Sequence, residues 1–225
     1  MITLHGFAAS NYYNLVKHIL LYKALPFEEN LIYGGSDALM TISPAGKVPV
    51  ITTPEGLHIS ESSVICDFIE EAYPATPLYP ENEGERAVVR QIMKIAELYF
   101  ELPSRRLIPY AFLGTTVPDS VAAEVRQVLN RGITALSQLC TFSPWITGKQ
   151  LTMADIYVYY VNTIVSTFGI SQLDWDVLAE IAGMKEWQQA MSQSAIAQKV
   201  EADRLANMPE FMQKLKAQFQ AENSA

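Results

Sequence analysis

Over the first 80 residues the apolar positions alternate between strand and helix spacing. Ile-Thr-Leu-His-Gly-Phe at residues 2–7 predicts a short strand. From Ser10 the apolar positions Leu15, Val16, Ile19 and Leu20 share one helical face, and Pro26 ends it. Phe27 to Ile32 predicts a second strand, and Gly34-Gly35-Ser36 a loop. Val48-Pro49-Val50-Ile51 and Leu57-His58-Ile59 are strand-like runs joined by Thr53-Pro54-Glu55-Gly56, whose Pro and Gly suit a hairpin turn. A helix starting near Ser60 carries Val64, Ile65, Phe68, Ile69, Ala72 and Tyr73 and stops before Pro74. Pro74, Pro77 and Pro80 remove donors and fix φ, which predicts an interdomain linker. Beyond Glu83 the pattern is helical, with Val88, Ile92, Ile95 and Tyr99 on one stripe and Val121, Val125, Val128, Ile133 and Leu136 on another. Pro103 and Pro109 are expected to bend or end the first of these helices, and Gly148, Gly169 and Gly183 to mark later boundaries.

Composition narrows the classes. A 225-residue chain that is 49% hydrophobic and 18% charged suits one large domain or two small ones. A net charge of -8, with both halves acidic, argues against nucleic acid, whose phosphates need a basic face. The most apolar stretch, Ile156 to Val165, is interrupted by Asn162 and Thr163 and falls short of the roughly 20 residues of a membrane span. The first residues lack the basic and apolar regions of a secretory signal, so a cytoplasmic protein is expected. Cys66 and Cys140 are far apart, and His5, His18 and His58 lack ligand spacing, so neither a disulfide framework nor a metal is expected.

Four segments carry motifs: Gly6-Phe7-Ala8-Ala9-Ser10, Ser43-Pro44-Ala45-Gly46-Lys47-Val48-Pro49, Glu61-Ser62-Ser63-Val64-Ile65 and Leu151-Thr152-Met153-Ala154-Asp155-Ile156. In this order and spacing the chain resembles the cytosolic glutathione transferases over nearly its whole length. The resemblance implies an α/β thioredoxin-like domain with a mixed four-stranded sheet over residues 1–80 and an all-α helical bundle over residues 84–225. It also implies a homodimer, glutathione as cosubstrate, a small hydrophobic electrophile as second substrate, and no metal.

Glutathione must be held as thiolate to react near neutrality, since a free thiol has a pKa of about 8.5. Ser10 matches the serine whose hydroxyl donates to that sulfur in serine-type members, and Asn11 is the alternative donor. Read alone, Ser10 is also a good N-cap. By resemblance, Val48-Pro49 is a cis turn facing the cysteinyl backbone, Lys47 reaches the glycyl carboxylate, and Glu61 and Ser62 receive the γ-glutamyl end. The local alternatives are a solvated surface lysine and simple helix capping. Thr152 and Asp155 read as a capping box with a folding role.

Ala8, Tyr12, Tyr99, Arg106, Tyr110 and Phe112 are the expected walls of an apolar cleft for the electrophile, with core or dimer interface as the competing reading. The chain departs from the family where Gly34-Gly35-Ser36 and Asp37 offer no basic residue, where Gln193-Ser194 replaces a late Arg-Pro, and where the first turn holds no cysteine. The Ser-Ser-Cys run of the maleylacetoacetate isomerase branch is missing as well. The alternatives to conjugation are a binding or regulatory module of the same fold and a glutathione-dependent peroxidase or disulfide reductase.

Overall fold

The structure is a computed structural model and describes residues 1–222. The chain forms two compact units, one made of Met1–Tyr73 with the C-terminal segment from Ser194, the other of Pro74–Gln193.

The first unit runs β1 (Ile2–Gly6), α1 (Asn11–Tyr22), β2 (Phe27–Leu31), α2 (Asp37–Met40), β3 (Val50–Thr52), β4 (His58–Ser60) and α3 (Ser62–Ala72). The sheet order is β2-β1-β3-β4, with β1 parallel to β2 and antiparallel to β3, and β3 antiparallel to β4. This is the mixed four-stranded sheet expected. Leu4 of β1 sits opposite Ile51 of β3, and both are fully buried together with Leu15 and Ile19 of α1 and Ile65 and Ile69 of α3. Each such side chain contributes about 1.5–3 kcal/mol on leaving water. The four-residue α2, capped by Ser36 Oγ accepting from Leu39 N–H, falls where the sequence shows only a loop, because it is too short for a helical period to register.

Strand register sets the site. Asn30, His5, Val50 and Ser60 form one row across all four strands. The residues just past that row are Phe7 to Ser10 after β1, the loop after β2, Val48-Pro49 before β3 and Glu61 after β4. All leave the sheet at the same end.

The second unit comprises α4 (Glu83–Ala96), a π turn (Glu97–Glu101), α5 (Leu102–Arg105), α6 (Ile108–Leu113), α7 (Asp119–Leu139), α8 (Met153–Leu173), a 3-10 turn (Val177–Glu180) and α9 (Met184–Ser192). Its buried stripes differ from the predicted ones. Val89, Ile92, Met93, Ala96 and Phe100 are buried on the first stretch, and Val125, Leu129, Gly132 and Leu136 on α7. These positions keep the three- and four-residue spacing of one helix face, which runs on into the π turn at Phe100 and leaves Tyr99 outward. Gly169 lies inside α8 and marks no boundary: an added Cβ would meet the Trp175 carbonyl at 3.0 Å, so glycine serves close approach.

The last helix, α10 (Ala195–Glu222), belongs with the first unit, whereas the sequence expects it in the helical bundle. The physical reason is a set of specific contacts. Lys17 of α1, buried, pairs with Asp203 at 2.8 Å, and Phe211 stacks on Phe7 with ring centroids 5.2 Å apart. Among the described residues no helix is long and apolar enough to cross a membrane.

Candidate active site

Ser10 is the N-cap of α1, and its Oγ accepts from Tyr13 N–H at 3.4 Å. A hydroxyl that accepts through a lone pair still has its proton to give, so capping and donation to an anion are compatible. The turn before it is closed by Ser10 N–H donating to Phe7 C=O at 3.0 Å. Gly6 is required there: a Cβ would lie 2.5 Å from the Tyr13 ring. Tyr13 is core, as its buried ring shows, and its hydroxyl donates to Glu29 at 2.5 Å. Glu29 in turn accepts from Lys17 at 2.6 and 2.8 Å, so the start of α1 is tied to β2 through a charged network. Burial, followed by the Glu29 hydrogen bond, pushes the Tyr13 phenol well above its usual range, which leaves it a donor at every working pH.

Asn11 opens α1 and is buried, while Ala8 and Tyr12 beside it are partly exposed. Val48-Pro49 is a cis peptide bond, and Ser143-Pro144 is a second, which the sequence does not announce. Lys47 is exposed, and its backbone is held by buried Ser43, whose hydroxyl donates to Lys47 C=O at 2.8 Å and accepts from Lys47 N–H at 3.1 Å.

Glu61 is the N-cap residue of α3 and has φ +65° and ψ +110°. The Glu61 side chain makes no capping hydrogen bond, and the N-cap position falls on Glu61 and not on Ser60 or Ser62. A glutamate at positive φ costs of order 1–3 kcal/mol and persists where the surroundings dictate it. Here it turns the chain from β4 directly into α3, placing buried Ser62 at the first helical position, in the turn whose N–H groups have no intrahelical acceptor. The first unit therefore gathers Ala8, Ser10, Asn11, Tyr12, Val48, Pro49, Glu61 and Ser62 at the end of the sheet where positive helix potential is available.

The remaining expected residues lie in the second unit. Tyr99 is in the π turn, Arg106 follows α5, and Tyr110 and Phe112 are in α6. Arg106 is paired with Glu124 at 2.7 Å in an exposed bridge, which commits its charge locally. Among the described residues no group of three or more His, Cys, Asp or Glu side chains is disposed to hold a metal ion. Sequence reasoning assigned no role to Asn14, Tyr33, Ser43 or Asn207. Asn14 Nδ2 donates to Ala8 C=O at 2.8 Å, and Asn207 bridges Ala9 N–H and the Tyr33 hydroxyl at 3.0 and 2.9 Å. Only Ser43 and Asn14 lie close enough in sequence to their targets for a local turn argument to have found them.

Residues 4–77 match the family described as Glutathione S-transferase, N-terminal domain. A glutathione S-transferase of Pseudomonas putida is 38% identical over 218 residues, covering 96% of this chain and 99% of that one. The chain belongs to the glutathione S-transferase family. A maleylacetoacetate isomerase of Dictyostelium discoideum is 33% identical over 152 residues, 63% of this chain and 68% of that protein. The crystal structure of a Methylobacterium radiotolerans glutathione S-transferase in complex with glutathione sulfonate superposes with a TM-score of 0.72 at 19% identity, covering 88% of this chain and 93% of that one. The family's thioredoxin-like first domain is thus the four-stranded unit described above.

Proposed function

We propose that this protein binds glutathione on its first unit, ionises the thiol beside Ser10 and transfers the sulfur to a small electrophile. The observation that carries this is the Ser10 hydroxyl, fixed at the mouth of α1 with a proton to donate. A hydrogen bond to an anion contributes about 1.5–3 kcal/mol, and the helix N-terminus adds to it. In the transfer the thiolate forms a C–S bond while a leaving group departs with its electron pair, or while an alkene's π pair moves to a neighbouring carbon that then takes a proton. Lys47, Val48, Pro49, Glu61 and Ser62 hold the tripeptide: Ser62 and the N–H groups of α3 suit its γ-glutamyl carboxylate, and the Lys47 ammonium suits the glycyl one. Asn11 is the reserve donor to sulfur. Ala8 and Tyr12 meet the electrophile, and Tyr99, Arg106, Tyr110 and Phe112 are family-derived candidates for the same role.

Disulfide exchange by a protein thiol is disfavoured by the two cysteines. Cys66 is fully buried, and burial, with the charge of Asp155 adding to it, pushes the Cys140 thiol up to about 12. Isomerisation through reversible thiolate addition is the second reading, motivated by the relatives named maleylacetoacetate isomerase. We place the protein in the cytoplasm as a homodimer. Support for a dimer comes from large apolar side chains left exposed on each unit, Leu57 and Val64 on the first and Leu98 and Leu102 on the second.

The test is Ser10→Ala. Loss of one charged hydrogen bond predicts a fall in kcat of about 10- to 100-fold, with the calorimetric Kd for glutathione changed by less than about threefold. Unchanged kcat would return Ser10 to capping alone.

A further inference from the structure

The peptide unit joining Ala8 to Ala9 is held at both polar ends by asparagine side chains. Asn14 Nδ2, one turn into α1, donates to the Ala8 carbonyl at 2.8 Å. Asn207 Oδ1, on α10, accepts from the Ala9 N–H at 3.0 Å. The carbonyl of one residue and the N–H of the next lie in one rigid plane, so two side chains nearly 200 positions apart in sequence grip a single plate. That plate stands one peptide unit before Ser10, and its rotation would shift the backbone that carries the Ser10 hydroxyl.

Asn207 is itself fixed. Its Nδ2 donates to the Tyr33 hydroxyl at 2.9 Å, Tyr33 stacks on Phe7 at 4.8 Å, and Phe7 stacks on Phe211, one helical turn beyond Asn207. One turn before Asn207, Asp203 pairs with buried Lys17 and so sets the register of α10 against α1. An amide suits the position because it offers an acceptor to Ala9 and a donor to Tyr33 from adjacent atoms. A carboxylate offers only the first and an ammonium only the second.

We propose that Asn207 is a positioning residue for the transfer reaction: from the last helix it clamps the Ala8–Ala9 peptide plane against Asn14 and thereby aims the Ser10 hydroxyl at the sulfur of glutathione. The inference rests on the Ser10 reading above. Hydrogen-bond strength falls steeply with misalignment, so a loosened plate weakens thiolate stabilisation without removing any group that binds the tripeptide.

The experiment measures kcat against pH and the calorimetric Kd for glutathione in the full-length protein. The variants are Asn207→Ala, Ser10→Ala, the double variant, and Tyr33→Phe, which frees the amide of Asn207 but keeps the ring stack. Asn207→Ala is expected to lower kcat at neutral pH about tenfold, to move the acidic limb of the pH profile to higher pH, and to change the Kd by less than about threefold. Tyr33→Phe should move the same limb in the same direction by less, and it serves as the test should Asn207→Ala fail to fold. Because Asn207 acts through Ser10, the double variant should be no slower than Ser10→Ala alone. If Ser10→Ala moves the profile and the Asn207 and Tyr33 variants do not, or if the two losses multiply, Asn207 only secures the helix and the proposal fails. If Ser10→Ala itself leaves the profile in place, the thiolate reading fails first and takes the positioning role with it.

Discussion

Asp155 shows how a carboxylate can be conspicuous in a sequence and still be structural. It is fully buried in α8, and each oxygen is doubly engaged. Oδ1 accepts from Ile146 N–H at 2.8 Å and from the Trp187 indole at 3.0 Å, while Oδ2 accepts from Thr152 N–H at 2.8 Å and its hydroxyl at 3.0 Å. Burial still outweighs these donors and raises the carboxyl pKa above its ordinary value. Neutralising the charge is nevertheless no relief, because an amide in either orientation would point an NH2 at one or more fixed N–H donors, those of Ile146 and Trp187 or that of Thr152. Asp155→Asn is therefore expected to cost about 2–4 kcal/mol, seen as a lowered midpoint in chemical unfolding. A variant within about 0.5 kcal/mol of the parent would contradict this. The capping box of Thr152 and Asp155 was readable because its partners are three residues apart. The donors from Ile146 and Trp187 were not, since nothing local marks a peptide or an indole as converging on that carboxylate. The places of Ser10, Glu61 and Ser62 at the starts of α1 and α3 were readable on the same terms: each stands where a strand pattern gives way to a helical one. The positive φ of Glu61 was not, because nothing in its residue type requires it.

Between elements, the contact most informative about stability is the one joining α1, β2 and α10. Lys17 is buried and divides its charge between Glu29 and Asp203, with Lys199 adding to Asp203 at 3.2 Å. Burial alone would raise the Asp203 carboxyl, but the hydrogen bonds and charges of Lys17 and Lys199 outweigh it and hold the pKa below the ordinary value. A carboxyl whose pKa is lower folded than unfolded stabilises the fold above the unfolded value, near 4, and loses that contribution as pH falls through the folded value. Asp203→Asn should accordingly lower Tm most at pH 7, and the gap from the parent should close as the solution is acidified below about pH 4. A gap that stayed constant to pH 2.5 would mean the ion pair contributes nothing that titrates. Short elements were the least legible part of the chain at this scale. Four-residue α2 lacks a period to detect, and two neighbouring stripes of α4 both carry apolar residues at helical spacing, so Val88 and Tyr99 were expected inward where Val89 and Phe100 are.

On the scale of the whole chain, the strand-helix order of the first unit was legible because each segment carries its own signal. The membership of α10 was not: a helix with charges on several faces does not reveal which unit it joins, and only the partners of Asp203, Asn207 and Phe211 decide it. That membership has a measurable consequence. All three tryptophans, Trp145, Trp175 and Trp187, lie in the second unit, so their emission reports that unit alone. Cys66 is fully buried in the first unit, so its rate of alkylation reports the opening of that unit. A chain ending at Gln193 leaves Lys17 with Glu29 alone and uncovers one face of α1. Removing one partner of a buried pair costs about 3–5 kcal/mol, but the Asp203 side chain is 34% exposed, so about 1–3 kcal/mol is the fitting range. In urea, Cys66 of the shortened chain should become reactive at a clearly lower concentration than in the parent, while the tryptophan midpoint moves less. Equal movement of both probes would show that the last helix supports the two units alike, and the division of the chain would have to be redrawn.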